Sequence, residues 1–196
     1  MAASKLLGVR GALLESAQNS MALILEGHQV VMPAWQRYAG VVWSHLAPEG
    51  LSVEQRSRLL VPSGFYGITT AEDPIADYRL KMSVNLGTLG VLSRFWREPV
   101  TDVVLRRARG GEIVNLLPQE HAGCLNFDAL GAVCDVSHIH FVSADGHHAI
   151  GHGAKSVKGI VARRVLERGS ASLTRFRWEG WRATRSPMGF EIHAPG

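Results

Sequence analysis

The chain has 196 residues, of which 46% are hydrophobic and 19% are charged. This composition is typical of a folded globular protein and excludes an intrinsically disordered chain. Lysine and arginine outnumber aspartate and glutamate by 21 to 17, a mild excess that permits a nucleic acid or nucleotide partner without requiring one. The two cysteines provide no disulfide framework, and no signal-peptide pattern or membrane-spanning apolar run is found, so we expect a cytoplasmic protein that does not associate with a membrane.

The first half of the chain predicts helices with one intervening strand. Apolar residues at three- and four-residue spacing predict helices over residues 10–25 and 33–46. A short helix is predicted after Ser52, turning into a strand that ends before Pro62. Residues 85–110 are predicted to form one or two helices, because the segment is apolar at helical spacing and two glycines end it.

The second half of the chain predicts more β-structure. The run EIVNLL at residues 112–117 is nearly all apolar, which predicts a strand buried on both faces. Alternating residues around Asp145-Gly146 predict a hairpin, and a helix is predicted from Lys155 to Gly169. The tail is predicted to add two strands around a Ser-Pro-Met-Gly turn. Together these elements predict a single α+β domain over residues 1–196, with a mixed central β-sheet flanked by helices.

The stretch SGFYGITTAEDPIADYRLKMS at residues 63–83 places an arginine inside an apolar pattern. In a strand, Tyr78, Leu80 and Met82 would share one face, and Arg79 would lie on the other. If that second face lines a cleft, the planar guanidinium of Arg79 is suited to bind phosphate or carboxylate. If it faces solvent, Arg79 is an ordinary polar-face residue, and periodicity does not choose between the two.

The helix predicted from Lys155 has a basic face. On a helical wheel Lys155 and Lys158 flank a shallow floor made by Gly159 and Ala162. Such a floor would let an anion, or the backbone of another element, approach closely. The start of this helix at His152 would also present free N–H groups to an anion. The alternative interpretation is a solvated lysine face on a surface helix.

Other common site patterns are weak in this sequence. His138 and His140 could supply two metal ligands, but the predicted hairpin gathers no third histidine, so we predict half-buried polar residues and no metal site. Cys124 and Cys134 are not arranged as CxxC. Ser63 precedes a glycine, which is typical of a turn, and lacks the G-x-S-x-G elbow of a nucleophilic serine.

Five segments, taken in order, resemble the YaaA peroxide-stress family. They are SGFYGITTAEDPIADYRLKMS, RFW at residues 94–96, EIVNLLPQEHAGCL, HGAKSVKGIVARRVLE and FRWEGWRA. The resemblance runs from about Leu14 to Phe190. It implies an α+β fold with a basic cleft and a helix-hairpin-helix-like element. It also implies DNA binding and protection against peroxide, linked to a lowering of free intracellular iron.

The chain departs from the family pattern in two places. Family members normally begin with a strand and a loop that this sequence does not match, so we expect one wall of the cleft to be absent and the activity to be altered. The acidic-tyrosine pair that follows the buried strand in the family is Glu120-His121 in this chain.

Two functional hypotheses follow. In the first, Arg79, Lys155 and Lys158 line a basic cleft that binds DNA or a nucleotide, with Asn115 and Ser63 as further anion-binding residues. Phosphate contacts would then make binding weaken steeply with salt.

In the second hypothesis, the same cleft belongs to a small-molecule enzyme of a biosynthetic pathway. The basic residues would hold a phosphate or carboxylate of the substrate, and Glu120, His121 or Tyr66 would move a proton. The cofactor is unknown for both hypotheses. A structural or assembly role has only the apolar helices and five tryptophans in its favour, and these are explained equally well as core.

Overall fold

A computed structural model describes residues 3–144 and 152–196, except for the side chains of Lys5 and His152. The chain forms two compact units. The first comprises residues 1–37, 60–104 and 117–126, and the second comprises residues 38–59, 105–116 and 127–196. The predicted Asp145-Gly146 turn and the second arm of its hairpin lie outside the described residues. The single domain over residues 1–196 stays a prediction.

The elements follow one another in an α+β order, as predicted. The α-helices are α1 (Ala3–Leu7), α2 (Ala12–Leu25), α3 (Ala34–Arg37), α4 (Val41–Leu46), α5 (Val53–Ser57), α6 (Leu92–Phe95), α7 (Arg97–Ala108), α8 (Gln119–Ala122), α9 (Phe127–Gly131) and α10 (His152–Arg168). The strands are β1 (Val31–Pro33), β2 (Leu60–Ser63), β3 (Gly67–Thr70), β4 (Pro74–Ala76), β5 (Glu112–Asn115), β6 (Asp135–Val142), β7 (Arg177–Trp178), β8 (Trp181–Ser186) and β9 (Gly189–His193). Within the described residues, 3₁₀ helices span Pro48–Gly50, Gly87–Leu89 and Ser170–Arg175.

The first unit contains two antiparallel strand pairs, β1 with β4 and β2 with β3. Helix α2 confirms the helix predicted over residues 10–25, and its buried Ala17 packs with Leu7 and Val9. The single helix predicted over residues 33–46 is wrong. That segment forms α3 and α4, separated around Gly40, which has a φ of 106° that a helix does not contain.

The second unit is built on a mixed five-stranded sheet in the order β5-β6-β9-β8-β7. Strands β5, β6 and β9 are parallel, and β8 pairs antiparallel with both β9 and β7. The predicted pair of strands around the Ser-Pro-Met-Gly turn is confirmed by β8 and β9. The strand predicted within residues 112–117 is confirmed by β5. Its predicted burial on both faces is wrong, because Glu112 is exposed and the other three residues are only partly buried.

Helix α10 covers one face of this sheet. Its fully buried Val157 and Val161 pack with Ile139, Phe190 and Ile192 of the strands. On another side of the helix, a smaller cluster joins four buried residues of the second unit: Leu46, Leu51, Ala162 and Leu166. Burial of both sides explains why the helix has a weak alternation of apolar and polar residues despite its predicted basic face.

Among the residues that the structure describes, no helix is both long and apolar enough to cross a lipid bilayer.

Candidate functional site

The Ser-Gly-Phe-Tyr-Gly sequence forms the turn between β2 and β3. The hydroxyl oxygen of Ser63 accepts hydrogen bonds from the backbone N–H groups of Phe65 and Tyr66, at 3.2 and 3.0 Å. Ser63 is buried, with 2% of its surface exposed. Its oxygen therefore closes the turn, and its predicted contact with an anion stays a prediction.

Both glycine positions of this turn require glycine because other segments of the chain approach them closely. A Cβ on Gly64 would lie 2.5 Å from the carbonyl oxygen of Leu80, and one on Gly67 would lie 2.7 Å from the ring of Trp96. Gly67 also has a φ of 75°, which favours glycine. The indole N–H of Trp96 donates a 2.9 Å hydrogen bond to the Gly64 carbonyl. The turn is therefore held between the backbone at Leu80 and the ring of Trp96.

Three aromatic rings pack beside the turn. Phe65 and Tyr66 meet edge to face at 4.9 Å between ring centroids, and Tyr78 contacts both at 5.6 and 5.3 Å. The hydroxyl oxygen of Tyr66 accepts a 2.9 Å hydrogen bond from the backbone N–H of Ala76. This bond gives Tyr66 a structural role, and its role in proton transfer stays a prediction.

The acidic part of the motif closes the next turn. The Asp73 carboxylate accepts hydrogen bonds from the backbone N–H and the hydroxyl of Thr70, both at 2.8 Å. Both carboxylate oxygens of Asp73 are thus engaged in holding the loop between β3 and β4. This loop brings the chain back towards the Tyr-Arg-Leu segment.

Arg79 lies on a segment without regular secondary structure, so the strand in which its alternation was considered does not form. The predicted alternation of side chains is nevertheless present. Met82 is fully buried and Leu80 is partly buried, whereas Arg79, Lys81 and Ser83 are exposed. The segment is held instead by its contact with Gly64 and by a 2.9 Å hydrogen bond from Ser93 N–H to the Met82 carbonyl. No carboxylate of the described residues forms an ion pair with Arg79.

Glu120 joins the same surface. The Ser83 hydroxyl donates a 3.1 Å hydrogen bond to the carboxylate of Glu120, which lies exposed in the four-residue helix α8. His121 follows it and is half-buried. The first unit therefore brings Glu120 onto the segment that carries Arg79. Lys81 and Ser83 were not chosen from the sequence as site residues, although their alternation with apolar neighbours was a signal for them.

The small residues Gly159 and Ala162 on α10 were predicted to permit the close approach of an anion or of the backbone of another element. A Cβ on Gly159 would lie 2.3 Å from the Val42 carbonyl oxygen and 2.8 Å from the Cβ of His45. Ala162 is buried against the neighbouring cluster. Helix α4 therefore occupies this surface, and the close approach that a small residue permits is made by the backbone of another element, the second of the two possibilities given by the sequence.

The two lysines of α10 have different surroundings. Lys155 is exposed, whereas Lys158 is half-buried and its ammonium group lies 5.3 Å from the centroid of the Phe141 ring. Burial lowers the pKa of Lys158 from its ordinary value because the charged form loses water contacts. Lys158 therefore carries a cation that is partly removed from solvent, and Lys155 carries a solvated one.

The polar residues at the β5–β6 pair form a small cluster. The side-chain amide of Asn115 lies 2.9 Å from Nδ1 of His138, which stacks with His140 at 6.3 Å and touches Phe127 at 4.9 Å. Burial, with a smaller contribution from His140, lowers the pKa of His138. Within residues 3–144 and 152–196, no three histidine, cysteine, aspartate or glutamate side chains come together as metal ligands.

Neither cysteine has the environment of a reactive thiol. Cys124 is fully buried, and burial raises the pKa of its thiol to about 11. Cys134 has 8% of its surface exposed. Cysteine-based peroxide chemistry therefore has no support in the surroundings of Cys124.

The sequence-predicted residues are divided between the two units. Arg79, Ser63, Tyr66, Glu120 and His121 belong to the first unit. The second unit contains three of the predicted residues: Asn115, Lys155 and Lys158. The common cleft for Arg79 and the two lysines stays a prediction.

These features define the class of the protein as α+β. It has a mixed sheet with flanking helices, a glycine-aromatic turn fixed by a tryptophan, and a Tyr-Arg-Leu segment. The family described as peroxide stress protein YaaA matches residues 1–186, and the chain belongs to this family.

Its similarity to curated relatives covers only part of those proteins. A UPF0246 protein of Rickettsia bellii is 34% identical over 131 residues, which are 62% of this chain and 52% of the relative. A UPF0246 protein of Streptomyces coelicolor is 28% identical over 174 residues, or 86% of this chain and 65% of the relative. One from Rickettsia felis is 33% identical over 143 residues, or 66% and 56%. The matched part of the chain thus spans between about half and two thirds of each relative.

Proposed function

We propose that this chain binds a phosphate-bearing ligand, DNA or a nucleotide, and that Arg79 is a principal phosphate contact. The observation that carries the proposal is the exposed Arg79 on a segment whose backbone is fixed against Gly64. A guanidinium presented from a fixed backbone loses less conformational freedom on binding than one on a mobile loop. Its planar fork suits the oxygens of a phosphate.

Lys81 strengthens this surface. It lies two residues after Arg79, is exposed, and its ammonium group would be 3.4 Å from a Cβ at Gly8. Two cations on one side of a short segment favour a polyanion over a single carboxylate. Lys155 and Lys158 belong to the second unit and are proposed as phosphate contacts of that unit, with Asn115 as a secondary one. The predicted role of Ser63 stays a prediction, because its buried hydroxyl oxygen closes the turn.

The family description supplies the biological context. The family is described as a peroxide stress protein. We infer that this chain protects a cell against peroxide, and that its phosphate-binding surface acts in that protection. A strain lacking the gene, tested for survival in hydrogen peroxide with wild-type or Arg79→Gln protein supplied, examines this link. Equal rescue by both proteins would separate Arg79 from peroxide protection.

The binding experiment is a salt titration of fluorescein-labelled duplex DNA by anisotropy. Binding should weaken steeply with salt, and Arg79→Gln should reduce the slope of log K against log salt by about one. Arg106→Gln is the matched control, because Arg106 is exposed on α7 and its side chain forms no hydrogen bond with a described residue. ATP is the second probe, and preference for ATP would make the ligand a nucleotide. Absence of binding to both at low salt contradicts the proposal.

A second candidate function is a small-molecule enzyme at the same surface. The hydrogen bond from Ser83 to Glu120 favours it, since it brings a carboxylate within a few residues of Arg79. In this proposal Arg79 holds an anionic group of the substrate, and Glu120, His121 or Tyr66 transfers a proton. Native mass spectrometry of freshly purified protein tests it. A retained small molecule other than a nucleotide that Arg79→Gln protein lacks supports the enzyme, and a co-purified nucleotide or polynucleotide supports the first proposal.

A further inference from the structure

A polar cavity lies in the second unit at the amino ends of β5, β6 and β9. Its volume is about 260 Å³. Its walls come from the first residues of the three strands, the Ser170 end of a 3₁₀ helix and the turn between β8 and β9. None of the residues assigned above to phosphate binding or proton transfer lines it. The cavity is therefore separate from the site already described.

Two carboxylates stand side by side at one end of the cavity. Glu112 and Asp135 are direct neighbours in the parallel pairing of β5 with β6. Like charges on adjacent strand positions repel each other. Glu112 accepts a hydrogen bond from the Ser170 hydroxyl, and Asp135 forms no ion pair within the described part of the chain. This end of the cavity therefore favours a positively charged group.

A cation lines the other part of the cavity. Arg185 of β8 lies with its guanidinium carbon 5.1 Å from the centroid of the Phe190 ring. Phe190 pairs with Arg185 on one side and with Ile139 on the other, and Ile139 is four residues beyond Asp135. Strand geometry then separates Asp135 and Arg185 by two strand spacings across and roughly 13 Å along the sheet. Asp135 and Arg185 both line the cavity and both are exposed, so one small molecule with two charged groups can contact both side chains.

Hydroxyl groups complete the polar lining. Ser137, Ser170 and Ser186 all contribute to the wall. The Ser186 hydroxyl is buried and has no hydrogen-bond partner among the described residues. A buried hydroxyl without a partner is unfavourable, and a ligand atom that hydrogen-bonds it removes this cost.

The charges select the chemical class of ligand. Two adjacent carboxylates repel a phosphate or nucleotide, and Arg185 disfavours a simple cation. Apolar residues also line the cavity, namely Val136, Pro187, Met188 and Phe190. Most of its accessible wall is nonetheless polar, so an apolar molecule gains little there. We propose that this cavity binds a free amino acid, with its ammonium group on Asp135 and Glu112, its carboxylate on Arg185 and a further hydrogen bond to Ser186.

The experiment is a thermal-shift measurement on the whole chain with each of the twenty common amino acids. Ethanolamine and lactate serve as probes that carry only the amine or only the carboxylate. At least one amino acid should raise the unfolding temperature, by roughly 3–5 °C at ten times its Kd, and both half-molecules should give smaller shifts. No shift with any amino acid, or equal shifts with the half-molecules, overturns the proposal.

Variants then locate the binding. For the amino acid that gives the largest shift, Asp135→Asn and Arg185→Gln should each weaken binding at least about tenfold in calorimetric titration. Arg182→Gln is the matched control, because Arg182 is exposed on the same strand and does not line the cavity. Ser186→Ala should weaken binding without lowering the stability of the ligand-free chain. Unchanged affinity in Asp135→Asn and Arg185→Gln overturns the proposal, and the DNA titration with Arg79→Gln is independent of either result.

Discussion

Replacement of Gly64 by alanine should test whether the Arg79 segment is fixed by backbone contact. The added Cβ would lie 2.5 Å from the Leu80 carbonyl oxygen and 3.0 Å from the carbonyl carbon of Lys81. Ordinary contact begins near 3.4 Å, so the two segments must separate by roughly 0.9 Å. Both contacting atoms belong to the backbone, so a side-chain rotation cannot relieve the clash.

The expected cost follows from this geometry. Overpacking of a closely packed site costs about 1–3 kcal/mol, and rigid backbone on both sides places Gly64→Ala in the upper half of that range. For a chain of this length, about 2–3 kcal/mol corresponds to a fall in Tm of roughly 4–12 °C. The hydrogen bonds from Leu92 and Ser93 to the carbonyls of Val84 and Met82 lie next to the disturbed contact. Their amide protons should therefore exchange faster.

The assay combines calorimetry with hydrogen exchange of the peptide that covers residues 80–96. Gly131→Ala is the matched control, since a Cβ at Gly131 would meet no atom within 4 Å and Gly131 does not have a positive φ. Its stability should change by no more than about 0.5 kcal/mol. If Gly64→Ala unfolds within 1 °C of Gly131→Ala, on the order of the measurement error, with unchanged exchange, the segment is not fixed in this way.

Four further outcomes are expected. Gly159→Ala should lower stability by about 2 kcal/mol or more, since its Cβ would meet helix α4 at 2.3 Å, whereas Gly153→Ala should be nearly neutral in the same denaturant titration. Trp96→Phe should cost about 1–2 kcal/mol in urea unfolding because the carbonyl that accepts the indole hydrogen bond loses its donor. Burial lowers the folded-state pKa of Lys158, so the charged Lys158 side chain destabilises the fold at neutral pH and this cost is relieved as pH rises through that pKa towards 10.5. Lys158→Met should therefore raise Tm at pH 7 and remove this pH dependence of Tm. Because the thiol of Cys124 has a pKa raised to about 11, folded protein at pH 8 should be alkylated by iodoacetamide at this position at least about tenfold more slowly than urea-unfolded protein, as peptide mass spectrometry would measure.

Local patterns in the sequence predicted local structure well. Ser52 and Gln55 form the reciprocal hydrogen bonds of a capping box at the start of α5, where a short helix was expected. The Ser-Pro-Met-Gly turn joins β8 to β9. This pairing was predictable because two strands joined by a short turn pair through residues that are close in the sequence. Helix α10 begins three residues before the predicted start and ends one residue before Gly169.

Long-range pairing was not predictable in the same way. The register of β6 with β9 joins His138 to Gly189, and nothing in either strand alone specifies a parallel partner at that distance in the sequence. The burial of Gly159 depended on where α4 packs, which periodicity does not state. The alternation around Arg79 was confirmed without the strand that usually produces it, since contacts with Gly64 and Ser93 hold that backbone.

The candidate site was predictable to a smaller extent. The Ser-Gly-Phe-Tyr-Gly motif and Trp96 are visible in the sequence as parts of the family resemblance. The reason for the glycines is not, because the backbone at Leu80 and the ring of Trp96, which leave no room for a side chain at Gly64 and Gly67, come from distant parts of the chain. The cavity that contains Asp135 and Arg185 left no motif in the sequence. Its walls come from strand ends far apart in the chain, so only the sheet order assembles them.

The position of β9 has a consequence for biosynthesis. This strand follows every other strand of its sheet in the chain, yet it lies between β6 and β8 in the middle. All residues up to His193 must therefore have left the ribosome before β9 can join the two sides of the sheet. Until then β6 and the β7–β8 ribbon have no common partner, so the pairing of this sheet is completed late and depends on contacts between residues far apart in the chain.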